Sequence, residues 1–237
     1  MEGFALVTGS ADRLGKGIAL DLAAIGFDLL LHYNHSEKKI EILKEEIEQM
    51  NRKAIPLQID FLETNDYDKL FRDLKEKGIV INVLVNCASD FQPSTFQEAG
   101  AGLLQKQIKI NFENAYLLTK AFARVFEKGV IINVLDTKIS KNFSKHLDYL
   151  LSKKLLNEFT KLSAIHLAPN IRVNAIAPGL ILPPADKDEA YLHELAEKIP
   201  LKRTGSMLEI LKAVRFLLDS QFVTGQVLYI DGGDHLL

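Results

Sequence analysis

Residues 79–85 read Ile-Val-Ile-Asn-Val-Leu-Val, an apolar run broken only by Asn82. Such a run cannot present one wet and one dry face, as a hairpin strand does. It suits a parallel strand covered on both sides, and parallel strands need crossover helices between them. The rest of the chain supplies both. Strand-like runs stand at 4–7, 28–33, 54–59, 129–135, 171–176 and 226–230. Between them, Ile18, Leu22 and Ile25 mark one helical face, and Ile40, Leu43 and Ile47 mark another. Further helices are expected at 66–77, about 101–127, from Tyr149 to about Leu167, near 188–197 and at 207–218. Strands alternating with helices, without repeats or low-complexity linkers, predict an α/β fold. The expected architecture is one Rossmann-type, doubly wound, parallel seven-stranded sheet with helices on both faces.

At 237 residues this is expected to be one domain spanning 1–237, with an irregular excursion at about 180–205 around Pro183-Pro184. That segment reads either as a substrate lid or as a plain surface excursion. A net charge of -2 offers no footprint for nucleic acid or an anionic membrane, and neither is expected as a partner. The single cysteine, Cys87, excludes an internal disulfide. With no apolar run near the ~18 residues of a membrane span and no leader-like start, the expected location is cytoplasmic.

Residues with chemistry sit where the strands end, the edge at which open α/β sheets bind ligands. The first strand runs into Thr8-Gly9-Ser10-Ala11-Asp12-Arg13-Leu14-Gly15 and then a helix, the layout that receives a phosphate. Gly9 allows a tight turn, Gly15 a close helix, and Arg13 stands where many such loops carry another glycine. The second strand is followed by Asn34-His35-Ser36 with no acid before Glu37. An NAD-type site usually has an acid there, so Ser36, His35 and Arg13 point instead to the 2′-phosphate of NADP. Ser36 equally reads as a helix cap. Asp60, Asn86-Cys87-Ala88 and Ser89-Asp90-Phe91 end the next two strands, and Asp136 follows the fifth. Tyr149 and Lys153 lie four apart on one helical face. A free phenol titrates near ~10, and a lysine beside it can lower that by ~1–3 units, so a lowered Tyr149 is expected. The six histidines show no ligand spacing, and no metal is expected.

Together, Thr8-Gly9, Asp60, Asn86-Cys87-Ala88, Asn111, Tyr149-x-x-x-Lys153, Pro178-Gly179 and Asp231-Gly232-Gly233 resemble the short-chain dehydrogenase/reductase family over essentially the whole chain. Two departures point to a branch. Arg13 replaces the middle glycine of the loop, and Asp136, thirteen residues before Tyr149, replaces the usual serine. Both are similar to the pteridine reductases, as are Leu31-His32-Tyr33 with Ser36 and Ala88-Ser89-Asp90-Phe91. Residues 177–182 and 222–225 resemble bacterial dihydromonapterin reductases. His35 stands where the better-known members have arginine.

The resemblance implies hydride transfer from NADPH to a C=N bond of a dihydropterin such as dihydromonapterin, dihydrobiopterin or a dihydrofolate. Tyr149 is the implied proton donor, Lys153 the residue that holds the nicotinamide ribose, and Asn111 the holder of a connecting water. Asp136 would receive ring N–H groups. Thr8, Gly9, Arg13, Leu14, Gly15, His35, Ser36, Asp60, Asn86, Ala88, Tyr149, Lys153, Pro178 and Gly179 would line the cofactor. Arg13, Ser89, Phe91, Asp136, Tyr149 and Leu180 would line the substrate, with Phe91 stacking on the pterin. A homotetramer is implied by analogy. The alternatives are a carbonyl reductase, for example of 3-oxoacyl carrier-protein thioesters, and a cofactor-binding protein without turnover.

Overall fold

The structure is a computed structural model in which residues 3–97, 100–142, 145–183 and 188–237 are described. Its strands are β1 (Phe4–Val7), β2 (Asp28–Tyr33), β3 (Ala54–Gln58), β4 (Ile81–Asn86), β5 (Gly129–Val134), β6 (Ile171–Pro178) and β7 (Val227–Ile230). They form one seven-stranded sheet in the order β3-β2-β1-β4-β5-β6-β7. Every pairing is parallel. The order reverses at β1 and β4, so their carboxyl ends frame the crevice in which doubly wound sheets hold dinucleotides. The expected architecture stands.

Helices α1 (Arg13–Ala24), α2 (Glu37–Glu48) and α8 (Met207–Asp219) pack on one face of the sheet. Helices α3 (Tyr67–Glu76), α5 (Asn114–Val125) and α6 (Leu147–Leu167) cover the other. The two cores meet only through the sheet: Val83 and Val85 face the first, and Ile81 and Leu84 the second. That double burial is why the 79–85 run is apolar apart from Asn82. Its strand nevertheless begins at Ile81, because Val80 uses its carbonyl to receive the Phe4 N–H before the ladder starts. The β1–β4 register then shifts between Phe4 and Ala5.

The long helix expected over about 101–127 is interrupted. It divides into α4 (Ala101–Ile108), one π-helical turn (Lys109–Glu113) and α5. Asn114 accounts for the break: its Nδ2 donates to Lys109 O at 2.7 Å and Phe61 O at 2.9 Å, and its Oδ1 accepts from the Tyr67 hydroxyl. Widened turns of this kind are frequent at functional sites, and Asn111 is at its centre. Ser36 occupies the N-cap position of α2, but its side chain makes no capping bond there. A short helix α7 (Glu189–Ala196) lies within the 180–205 excursion. Pro184, part of the Pro-Pro signal, lies outside the described residues. No helix of the described residues is long and apolar enough to cross a membrane.

Gly15 gives this layer its sharpest steric demand. A Cβ there would lie 2.1 Å from the carbonyl oxygen of Gly9 and 3.1 Å from Ser10 Cα. Alanine is favoured over glycine in a helix by about 1 kcal/mol, but overpacking against a fixed backbone costs about 1–3 kcal/mol. Gly15→Ala is therefore expected to destabilise, lowering the thermal midpoint in calorimetry, and to weaken dinucleotide binding as the loop shifts.

Candidate active site

The first loop is built around bonds that remain within the protein. Thr8 Oγ1 accepts from the Cys87 and Ala88 N–H groups, each at 2.9 Å, and so ties the end of β1 to the turn after β4. Gly9 has φ 65, and a Cβ there would stand 2.8 Å from Ala88 Cα. The loop and the Asn86-Cys87-Ala88 turn are thus held together by the Thr8 hydroxyl and by close backbone approach at Gly9. Arg13 adopts φ 52, the left-handed conformation that a glycine would take without strain. Its guanidinium donates to Pro183 O at 2.8 Å and more loosely to Leu182 O at 3.5 Å. Leu14 and Gly15 open α1 directly behind it, with Asp12 as N-cap.

Sequence reasoning missed His32. It lies buried in β2, its ring stacked on Phe61 at 4.2 Å. Its Nδ1 accepts the Gly9 N–H at 3.0 Å and its Nε2 donates to Ile59 O at 3.1 Å. Its own carbonyl receives both the N–H and the hydroxyl of Ser10. The available signals were a polar residue in an apolar strand and the Leu31-His32-Tyr33 stretch, which carried no role for the ring. His35 is exposed and Ser36 half-buried beyond the end of β2. Asp60 Oδ1 accepts the Leu62 N–H at 2.8 Å.

The catalytic candidates converge at the ends of β4 and β5. The Tyr149 hydroxyl donates to Asp136 Oδ2 at 3.0 Å. Lys153 Nζ donates to Val134 O at 2.8 Å and stands 5.7 Å from the centre of the Tyr149 ring. Both side chains are buried. The expected lowering of the phenol is reversed. Burial first, then the charge of Asp136 and its hydrogen bond, push Tyr149 well above its ordinary value, while a hydrogen bond with Ser89 works the other way. Lys153 is brought down to about 8, chiefly by burial. Four-residue spacing puts the ammonium 5.7 Å from the ring centre, while the hydroxyl bonds the carboxylate of Asp136 at 3.0 Å.

Asn111 is fully engaged. Its Nδ2 donates to Asp90 O, Gln107 Oε1 and Ser152 Oγ at 2.8–3.0 Å, and its Oδ1 accepts the Asp90 N–H at 2.7 Å. These bonds fasten the turn after β4 to α6 and occupy the carboxamide of Asn111. Phe91 stacks on His146 at 4.0 Å and meets Tyr149 edge-on at 4.8 Å. Asn86 Nδ2 donates to Asn133 Oδ1 at 2.8 Å, while its own Oδ1 is buried with no partner among the described residues. Pro178, Gly179 and Leu180 continue from β6 along the same sheet edge. Lys138, also missed, lies 3.6 Å from Asp136 Oδ1 and 5.4 Å from the Phe91 ring centre. No group of three potential metal ligands occurs among the described residues.

A glycine-bearing turn at the sheet's switch point, with buried Tyr149 and Lys153 beside a half-buried Asp136 near the adjoining strand ends, fits an oxidoreductase that works with a nicotinamide dinucleotide. The comparisons agree. The family profile described as "Enoyl-(Acyl carrier protein) reductase" matches residues 9–235. A 3-oxoacyl-[acyl-carrier-protein] reductase of Synechocystis is 31% identical, covering 97% of this chain and 95% of that protein. The "Uncharacterized oxidoreductase YmfI" of Bacillus subtilis is 32% identical, covering 99% of this chain and 100% of that protein. Among solved structures, FolM Alternative dihydrofolate reductase 1 from Brucella canis, complexed with NADP, superposes with TM-score 0.90 at 32% identity, covering 99% of this chain and 95% of that one. The chain belongs to the short-chain dehydrogenase/reductase family and is an NAD(P)-dependent oxidoreductase.

His32 yields an acid-stability test. Burial pushes its ring from 6.5 down to about 4. Between those values the unfolded chain binds a proton that the folded chain refuses, so stability falls as pH drops through that window and levels off below about 4. The loss amounts to about 3 kcal/mol at most. Urea midpoints measured from pH 7 to pH 4 should show this slope in the parent protein and a smaller one in His32→Gln. An equal slope in both would remove His32 as its source.

Proposed function

We propose that this protein is an NADPH-dependent reductase of a dihydropterin, of the dihydromonapterin, dihydrobiopterin or dihydrofolate type. The observation that carries this reading is the 3.0 Å bond between Tyr149 and Asp136. A carbonyl reductase must stabilise a developing oxyanion at this place, and a carboxylate opposes one. A pterin ring instead presents N–H donors and an exocyclic amine, which a carboxylate accepts. The likeness to a FolM dihydrofolate reductase complexed with NADP supports both substrate and cofactor.

The residues fit the cofactor. A Cβ at Gly9 or Gly15 would collide with the backbone that shapes the β1–α1 turn, so both glycines keep that turn tight against the helix start, and no acid at the end of β2 opposes a 2′-phosphate. NADPH, when bound, supplies the hydride. Tyr149, held neutral by burial and by Asp136, is the proton donor. Its hydroxyl exchanges Asp136 for the substrate nitrogen, which frees the carboxylate to accept ring N–H groups. Lys153 remains largely protonated near pH 7 and binds the nicotinamide ribose. Phe91, already backed by His146, offers an aromatic surface for the pterin. Leu151, Leu155, Leu162 and Ile165 form an exposed apolar series along α6, which supports assembly as a homotetramer through helix–helix contact.

A second reading, reduction of a 3-oxoacyl carrier-protein thioester, is favoured by the Synechocystis relative. A panel of dihydropterin, dihydrofolate and a β-keto thioester with NADPH separates the two. Asp136→Ser should lower kcat/KM on dihydropterins by about ten- to a hundredfold, the cost of a lost charge-assisted bond, and leave or raise activity on a simple ketone. Tyr149→Phe should abolish turnover while keeping NADPH affinity. A parent enzyme that reduces only the thioester would transfer the assignment to the second reading.

A further inference from the structure

We propose that Asp231 is a positioning residue that holds the catalytic Asp136 in place by gripping its neighbour Thr137. This rests on the reading of Asp136 given above. The Thr137 hydroxyl donates to Asp231 Oδ2 at 2.5 Å in a buried contact. Sequence reasoning named Asp231-Gly232-Gly233 as a motif but gave it no task. Its geometry supplies one. Gly232 and Gly233 take φ 64 and φ 90, so the chain curls back and the Gly233 N–H donates to Asp231 Oδ1 at 3.0 Å. The His235 N–H donates to Oδ2 at 2.8 Å, and the His235 ring reaches the same carboxylate through Nδ1 at 2.9 Å. That ring stacks on Tyr229 at 4.2 Å, and Lys141 bonds Asp234 at 2.6 Å as a second strap. Burial alone would raise the Asp231 carboxyl, but the bonds from Thr137, Gly233 and His235 outweigh it and hold the group below its ordinary value. It is a fixed anionic acceptor.

The other partner of the knot is equally constrained. Leu135 N–H bonds Ile176 O at 2.8 Å, and Asp136 itself accepts from the Lys138 N–H at 2.8 Å. Asp136 is thus flanked on one side by the sheet and on the other by the Thr137–Asp231 bond. Pro178-Gly179 completes the arrangement, because a Cβ at Gly179 would stand 2.6 Å from Asp231 Cβ. Two glycine-bearing motifs far apart in sequence therefore build one support for a carboxylate that neither of them contains.

Thr137→Val keeps the shape and deletes the hydroxyl, whereas Thr137→Ser keeps the hydroxyl. With the substrate that the parent enzyme reduces, Thr137→Val should lower kcat by roughly ten- to a hundredfold, the scale of a small misplacement of a reacting group, with NADPH affinity unchanged. Thr137→Ser should restore most of it, and Asp231→Asn should resemble the valine variant. In an Asp136→Ser background the valine change should add little, because the two act as one unit. NADPH titration shows that each variant is folded. Full kcat in Thr137→Val, or equal losses with Asp136 present and absent, would overturn the proposal. A parent active only on the thioester would overturn the pterin reading and leave this cycle to be read on that substrate.

Discussion

A parallel sheet buried on both faces is the constraint on which the rest depends. It favours apolar side chains along each strand, with hydrogen-bonded exceptions such as His32, Asn133 and Asn174, and leaves most of the site's polar chemistry at the strand ends. Thr8, Asn86, Asp136 and Pro178 all stand where a strand of the sheet stops or has just stopped. Because the strands run the same way, those ends share one edge. The order reversal between β1 and β4 then opens a crevice on that edge. The site is thus a by-product of how the core is covered, refined by a few turns.

The buried polar groups show how such a site is kept rigid without a large apolar contribution. His32, Asn111 and Asp231 each receive or donate several bonds, and each ties together segments remote in sequence. A buried polar group is costly unless satisfied, so these residues hold one arrangement and penalise others. Asp136 and Tyr149 depend on that rigidity. The 3.0 Å bond between the phenol and the carboxylate persists only if their separation is maintained.

Most of the fold was legible because its signals are local: apolar runs of strand length, helical periodicity and glycines at turns. The misses came from distant contacts. β4 starts at Ile81 rather than Ile79 because Val80 gives its carbonyl to the Phe4 N–H before the ladder begins. The helix from Ala101 breaks because Asn114 reaches back to Phe61 and Lys109. The candidate site was legible as a set of residues, through their joint resemblance to a family, more than as a set of interactions. Spacing put Tyr149 and Lys153 on one face but did not say which charge would reach the hydroxyl, and Asp136 did. His32 was visible in sequence only as a polar residue in an apolar strand and as part of Leu31-His32-Tyr33, neither of which showed its bonds to Gly9 and Ile59.

Arg13 combines a left-handed backbone with a side chain that spans from the first turn to the carbonyls of Leu182 and Pro183. A glycine would sit there without strain but would reach nothing. The chain accepts local strain at this single residue and obtains a bridge between the two rims of the crevice. The rim formed before α1 and the rim formed after β6 are consequently mechanical neighbours, although 169 residues separate Arg13 from Leu182. One guanidinium joins the two rims directly, by a path that does not run through the sheet between them.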